Sequence, residues 1–232
     1  MEALIFDCDG VLADTERDGH RVAFNQAFAT RERDLGWTVE RYGELLSTGG
    51  GKERLRRHFD ETGWPEGTSD QNEFILDLHA NKTKLFMELI EAGDIPSRPG
   101  VARLAVEALD AGLPLAVCST AAEAAVKAVV ISVFGPETAA RFSIFAGDMA
   151  AAKKPDPAVY NLAKETLGLN PALTVVIEDS AIGLEAAVAA GMACIVTPSF
   201  YTAGEDFTGA ALIVDDLANI SLSDCAVVLD GS

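Results

Sequence analysis

Asp7 and Asp9 stand two residues apart, directly after the apolar run Ala3–Phe6 and directly before Gly10. Two carboxylates at a strand end, where the chain turns, can take different roles. One attacks phosphorus while the other protonates the leaving oxygen. Adjacent anions also repel an incoming phosphate, and a hard cation removes that conflict; Mg2+ typically takes one or two carboxylates together with phosphate oxygens. Glu178 and Asp179 follow a second apolar run and offer further carboxylates, and Ser119 and Thr120 follow a third and offer a hydroxyl pair. Lys154 lies before Pro155 in Lys153-Lys154-Pro155-Asp156-Pro157. Proline restricts its predecessor, so this lysine is well fixed to neutralise a phosphoryl oxygen and the nucleophile. Two other readings fail on spacing. An EF-hand loop opened by Asp7 needs Glu at its twelfth position, where the chain has Asp18. A Walker loop at Gly49-Gly50-Gly51-Lys52 needs Ser or Thr next, where the chain has Glu53.

These groups share a site only if the chain brings its strand ends to one rim. Five short runs are continuously apolar rather than alternating, at residues 3–6, 115–118, 175–177, 193–196 and 212–214. Such runs fit strands of a parallel sheet covered by helices on both faces. Helical patterns at 101–111, 121–130, 156–167 and 181–190 separate them. The alternation predicts a doubly wound, Rossmann-like α/β core, whose ligand crevice lies at the carboxyl ends of the strands. Residues 15–92 break the alternation with helical patterns at 21–30, 39–46, 52–62 and 73–91 and no strand. The expected organisation is therefore a catalytic core of residues 1–14 and 93–232, with a small all-helical cap of residues 15–92 inserted after the first strand.

The net charge of −18 argues against nucleic acid and anionic membranes as partners, since both are bound chiefly by Lys and Arg. Yet 11 of the 18 basic residues fall within residues 15–92, against 15 acids, so this segment is net −4 while the remainder is net −14, and the basic side chains concentrate in the cap. Gly50-Gly51-Lys52 reads as a turn with free N–H groups beside a cation at a helix start, a common phosphate grip. His79 and Lys82, three apart, share a helix face. A second anionic group on the substrate is the expected partner of Lys52, Arg54 and Lys82, whereas Arg56 and Arg57 read as a solvated face. Cys8, Cys118, Cys194 and Cys225 form no CxxC pair and read as small buried hydrophobes in a reducing compartment. No apolar stretch reaches the roughly 20 residues that cross a bilayer, and no signal segment precedes the first strand-like run.

Asp7-Cys8-Asp9-Gly10-Val11, Ser119, Lys154-Pro155 and Glu178-Asp179 resemble, in order and spacing, the four motifs of the haloacid dehalogenase superfamily. The cap, from Tyr42 through Gly50-Gly51-Lys52-Glu53-Arg54 to His79-Ala80-Asn81-Lys82, is similar to that of CbbY-type phosphatases, as are residues 145–149 and 199–202. The resemblance implies Asp7 as nucleophile, Asp9 as general acid and base, Ser119 as phosphoryl ligand and Lys154 as charge balance. It implies Mg2+ held by the Asp7 side chain, the Asp9 main-chain carbonyl and Asp179, with Glu178 close behind. Glu16, Tyr42, Gly50, Gly51, Lys52, Arg54, His79, Lys82, Ser119 and Thr120 would bind substrate. The substrate of that family, xylulose 1,5-bisphosphate, is a small-molecule sugar bisphosphate and an inhibitor of Rubisco. A monomer in the cytoplasm or chloroplast stroma is the expected setting. Residues 15–20 are one residue longer between Glu16 and His20 than that family's spacing, and His20 is left out of the expected site. A β-phosphoglucomutase-like mutase sharing every core residue, and a phospho-accepting signalling receiver, remain alternatives.

Overall fold

The computed structural model describes residues 1–31, 36–48 and 50–229, with the Asp148 side chain left aside; Gly49 of the Gly-Gly-Gly-Lys turn lies outside the described residues. The chain divides into two compact units, Met1–Asp14 with Ile95–Ser232, and Thr15–Asp94.

The first unit is built on six parallel strands among the described residues: β1 (Ala3–Phe6), β2 (Leu115–Ser119), β3 (Phe142–Ala146), β4 (Thr174–Glu178), β5 (Ala193–Val196) and β6 (Leu212–Ile213). Their order is β3-β2-β1-β4-β5-β6, so the order reverses between β1 and β4. That reversal is where open α/β sheets bind ligands. Helices α5 (Val101–Asp110), α6 (Glu123–Ala139), α7 (Ala158–Leu167) and α8 (Ala181–Ala189) join the strands, and α9 (Leu222–Val227) ends the described unit. Every residue of β1, β2 and β4 is buried, which is why their sequences are apolar without alternation. Register fixes the site: Phe6 pairs with Val117 on one side and with Ile177 on the other. One residue further, Asp7, Cys118 and Glu178 come level.

Several sequence expectations need correction. Phe142–Ala146 is a sixth strand, absent from the five runs because Ser143 interrupts the apolar pattern of an edge strand whose burial is partial. The run at 212–214 is not buried on both faces; β6 is the other edge, with Ile213 53% exposed. Helix α6 begins at Glu123, two residues later than the pattern, because residues 120–122 form a loop after β2. It runs on to Ala139 through a non-helical Gly135 (φ 74°, ψ 159°) followed by Pro136. All four cysteines are buried and free.

The second unit contains a π-helix at Thr15–His20, then α1 (Arg21–Ala29), α2 (Val39–Leu46), α3 (Gly51–Thr62) and α4 (Gln71–Ala92). A π-helix carries one residue more per turn-closing hydrogen bond than an α-helix, so Glu16 and His20 are not spaced as in a regular helix. Asp70 caps α4 by accepting from the Asn72 and Glu73 N–H groups, and Gly93 closes it in the left-handed conformation (φ 74°). Phe24, Phe28, Trp37, Tyr42 and Phe59 form an aromatic interior. Arg57 is not simply solvated: it donates to Glu61, Ser47, Thr48 and the Glu44 carbonyl, stitching α3 to α2 and the turn after it.

Candidate active site

The register places three buried groups around one ammonium. Lys154 Nζ donates to Asp7 Oδ1 at 2.5 Å, Glu178 Oε1 at 2.6 Å and the Cys118 carbonyl at 2.8 Å. All three of its N–H groups are thereby used, which is what allows a lysine 4% exposed to stay charged. Burial alone would lower its pKa, but Asp7 and Glu178 outweigh that and raise it. The peptide bond between Lys154 and Pro155 is cis. The Tyr160 hydroxyl donates to the same Glu178 oxygen at 2.6 Å, and the other oxygen, Oε2, accepts from the Asp179 N–H at 3.1 Å.

Asp9 departs from this group. Its Oδ2 accepts from Ser119 Oγ at 3.4 Å, and Ser119 Oγ accepts the Ala121 N–H at 3.0 Å. Asp7 and Asp9 thus face different neighbours. Thr120 is exposed. Gly10 (φ 85°) is needed for close approach: a Cβ there would lie 2.1 Å from Asp179 Oδ2.

Asp7, Glu178 and Asp179 each offer an oxygen within 4.8 Å of the others, a donor set that could hold a metal ion. Hard carboxylate oxygens at this spacing suit Mg2+. Burial raises Asp7 well above its ordinary value, Lys154 opposes this, and Glu178, Asp179 and Asp9 add to it. Burial, then Glu178, pushes Asp179 up to about 7. An acid raised in the folded state binds its proton more tightly there than when unfolded, so stability falls as pH rises through the interval from 3.8 to about 7. In metal-free buffer, Asp179→Asn is therefore expected to gain in Tm relative to the unmodified protein between about pH 5 and about pH 8. The rise in Tm on adding Mg2+ is expected to be larger at the higher pH, because protons compete with the ion. Thermal scans at the two pH values check both; a pH-independent gap contradicts the assignment of strain to this carboxylate.

Two further residues of this unit were not flagged by sequence reasoning, Tyr160 and Arg98. Arg98 donates to the Gly10 carbonyl and to four oxygens of Thr197, Pro198 and Asp215.

Within the helical unit, Glu16 accepts from the Tyr42 hydroxyl at 2.5 Å and from Arg54 Nη1 at 3.4 Å, and Arg54 also donates to Tyr42 at 3.1 Å. Burial raises Glu16, but Arg54, the Tyr42 hydrogen bond and Lys82 hold it below its usual range. Lys82 is buried, its Nζ 2.7 Å from His20 Nδ1 and 4.9 Å from the ring centroids of Phe24 and Phe86. Burial and the Lys82 ammonium lower His20 to about 3, so its ring is neutral and can accept from the lysine. His20, set aside on spacing, belongs to this cluster; the π-helix was the unrecognised signal. Gly50 (φ 94°) caps α3, and Gly51 packs on His79, whose Nε2 would lie 2.7 Å from a Cβ. Lys52 is exposed; burial first, then the Lys82 and Lys52 charges, lower the pKa of His79.

The family model for haloacid dehalogenase-like hydrolase matches residues 1–191. The chain is 57% identical over 217 residues to a CBBY-like protein of Arabidopsis thaliana, covering 92% of this chain and 68% of that protein. It superposes with a TM-score of 0.82, at 43% identity, on the crystal structure of CbbY from Rhodobacter sphaeroides in complex with phosphate, covering 97% of this chain and 99% of the other. An Asp-to-Asn mutant of that protein in complex with xylulose-(1,5)bisphosphate matches with the same score, identity and coverage.

Proposed function

The chain belongs to the haloacid dehalogenase-like hydrolase family and is a phosphatase acting on sugar phosphates, and from that premise we propose that it hydrolyses xylulose 1,5-bisphosphate to xylulose 5-phosphate through a phosphorylated Asp7. The observation that carries this reading is the buried cluster of Asp7, Lys154, Glu178 and Asp179 beside the Asp9–Ser119 pair, at the reversal point of the sheet. The substrate is inferred from the resemblance to a protein seen with xylulose-(1,5)bisphosphate.

Asp7 attacks the phosphorus of the 1-phosphate and the bond to the sugar oxygen breaks. Asp9 delivers its proton to that oxygen, then removes a proton from the water that opens the phosphoaspartate. Ser119 donates to a phosphoryl oxygen, and Lys154 offsets negative charge on the nucleophile and the transferring group. Asp7, the Asp9 carbonyl and Asp179 would hold Mg2+, with Glu178 adjoining, and the ion supplies charge neutralisation between carboxylates and phosphate. EDTA is accordingly expected to abolish turnover, Mg2+ to restore it, and Ca2+, with its longer bonds and higher coordination number, to fail. Full turnover in metal-free buffer contradicts this.

Gly50, Gly51, Lys52, Arg54 and Lys82 hold the second phosphate, and Glu16, Tyr42, His79, Ser119 and Thr120 complete the substrate-binding set. The local basic content of residues 15–92 supports this assignment. The four buried free thiols and the plant relative support a reducing compartment, cytoplasm or chloroplast stroma. Among the described residues no helix is long and apolar enough to cross a membrane.

The test is Lys52→Ala, an exposed side chain whose loss leaves the fold intact. A charge-assisted contact to phosphate is worth about 1.5–3 kcal/mol, so kcat/KM on the bisphosphate should fall by about ten- to a hundredfold. An aryl monophosphate should be unaffected. Equal loss on both, or no loss on either, removes the distal phosphate site from Lys52.

A further inference from the structure

Arg98 is the first charged residue after the chain returns to the sheet unit at Ile95. Its backbone N–H donates to the Leu12 carbonyl at 2.9 Å, beside the bridge between Ala13 and Ser97. Its guanidinium is then spent on neutral oxygens. Nη1 donates to the Gly10 carbonyl and to the Thr197 carbonyl at 2.6 Å. Nη2 donates to Thr197 Oγ1 at 3.0 Å and to the carbonyls of Pro198 at 2.9 Å and Asp215 at 3.0 Å. A planar fork of N–H groups can do this; an ammonium, with three donors at one point, cannot.

The segments so joined carry the chemistry. Gly10 ends the turn that bears Asp7 and Asp9. Thr197 and Pro198 lead into Ser199 and Thr202, whose hydroxyls lie 3.0 Å apart, and Thr202 Oγ1 donates to Asp179 Oδ2 at 3.4 Å. Asp179 itself packs directly on Gly10, with no room for a Cβ between them. Asp179, Asp14 and Asp216 are the carboxylates that face the guanidinium.

We propose that Arg98 is a positioning residue for phosphoryl transfer, holding the Asp7–Gly10 turn and the segment that orients Asp179 at a fixed separation so that their carboxylates converge on one ion. The hydrogen bonds of its guanidinium run to main-chain carbonyls and the Thr197 hydroxyl, so Arg98 acts through the backbone on both sides of the centre. The inference rests on these acids forming the phosphoryl-transfer centre, but not on which sugar phosphate is the substrate. Its test therefore uses an aryl monophosphate for turnover and calorimetric Mg2+ titration for the ion, the latter requiring no turnover. Failure of the sugar bisphosphate as substrate would leave both readouts standing.

Arg98→Ala is expected to lower kcat and weaken Mg2+ binding by about ten- to a hundredfold each, the range typical of residues that orient ligands from behind, with KM changed far less. Added guanidinium should restore part of kcat, and the same concentration of NaCl should not. Arg98→Lys, which keeps the charge, should lose kcat and Mg2+ affinity similarly, and it decides the matter if the alanine variant does not fold. Variants with lowered Tm but kcat and Mg2+ Kd within about twofold of the unmodified protein overturn the proposal and leave Arg98 a structural clamp. So does a loss of kcat that guanidinium does not relieve in folded Arg98→Ala.

Discussion

Asp7→Asn is expected to reduce turnover to below about one hundredth of the unmodified enzyme while the protein stays folded. The amide cannot form the phosphoaspartate, and uncatalysed hydrolysis of phosphate monoesters is so slow, with accelerations reaching about 10²¹, that background cannot mask the loss. The fold should tolerate the change because the environment already disfavours the anion. Burial raises the Asp7 carboxyl, as do Glu178, Asp179 and Asp9, and only Lys154 opposes them. A neutral isostere relieves that repulsion, so the Tm of metal-free Asp7→Asn should equal or exceed that of the unmodified protein. Phosphate release and a thermal scan check the two halves, and residual turnover above that level counts against Asp7 as nucleophile.

Lys154→Met is expected to damage both activity and stability. The ammonium serves two buried carboxylates and a carbonyl, with Asp7 and Glu178 at 2.5 and 2.6 Å. Breaking one side of a buried ion pair costs about 3–5 kcal/mol, because the partners stay behind uncompensated. In a chain of this size that corresponds to a loss of roughly 10 °C in Tm. Loss of a charge-stabilising donor at a reacting group typically costs about 10²–10³ in kcat. Mg2+ supplies charge to the same carboxylates and should recover part of the Tm but not the kcat. Lys154→Arg should not rescue activity, since a planar fork cannot direct three donors at oxygens arranged around one point. A methionine variant within tenfold of normal kcat would show that the lysine is structural only.

The gathering of these residues was legible because parallel strands buried on both faces advertise themselves as unbroken apolar runs, and the residues directly after each run must lie at one rim. Asp7, Ser119 and Glu178-Asp179 are read this way, and the register of Phe6 with Val117 and Ile177 explains why one lysine reaches three strands. The edge strands were harder. Phe142–Ala146 and Leu212–Ile213 are partly exposed, and their sequences carry a serine or an exposed isoleucine where a central strand would not. Tyr160 and Arg98 were not legible at all. Their importance lies in a shared carboxylate oxygen and in backbone carbonyls 88 to 117 positions away in sequence, contacts that leave no local pattern. His20 was set aside on a spacing measured as if the helix were regular; it ends a π-helix and lies beside Lys82.

The most direct single measurement is phosphate release, with product identification, across sugar mono- and bisphosphates in the presence of Mg2+. The expected result is fastest release from xylulose 1,5-bisphosphate, with one phosphate freed per molecule and xylulose 5-phosphate left intact. Isomerised sugar phosphate without free phosphate, as a β-phosphoglucomutase-like mutase would produce from β-glucose 1-phosphate, would contradict the assignment, as would a single uptake of phosphate without turnover.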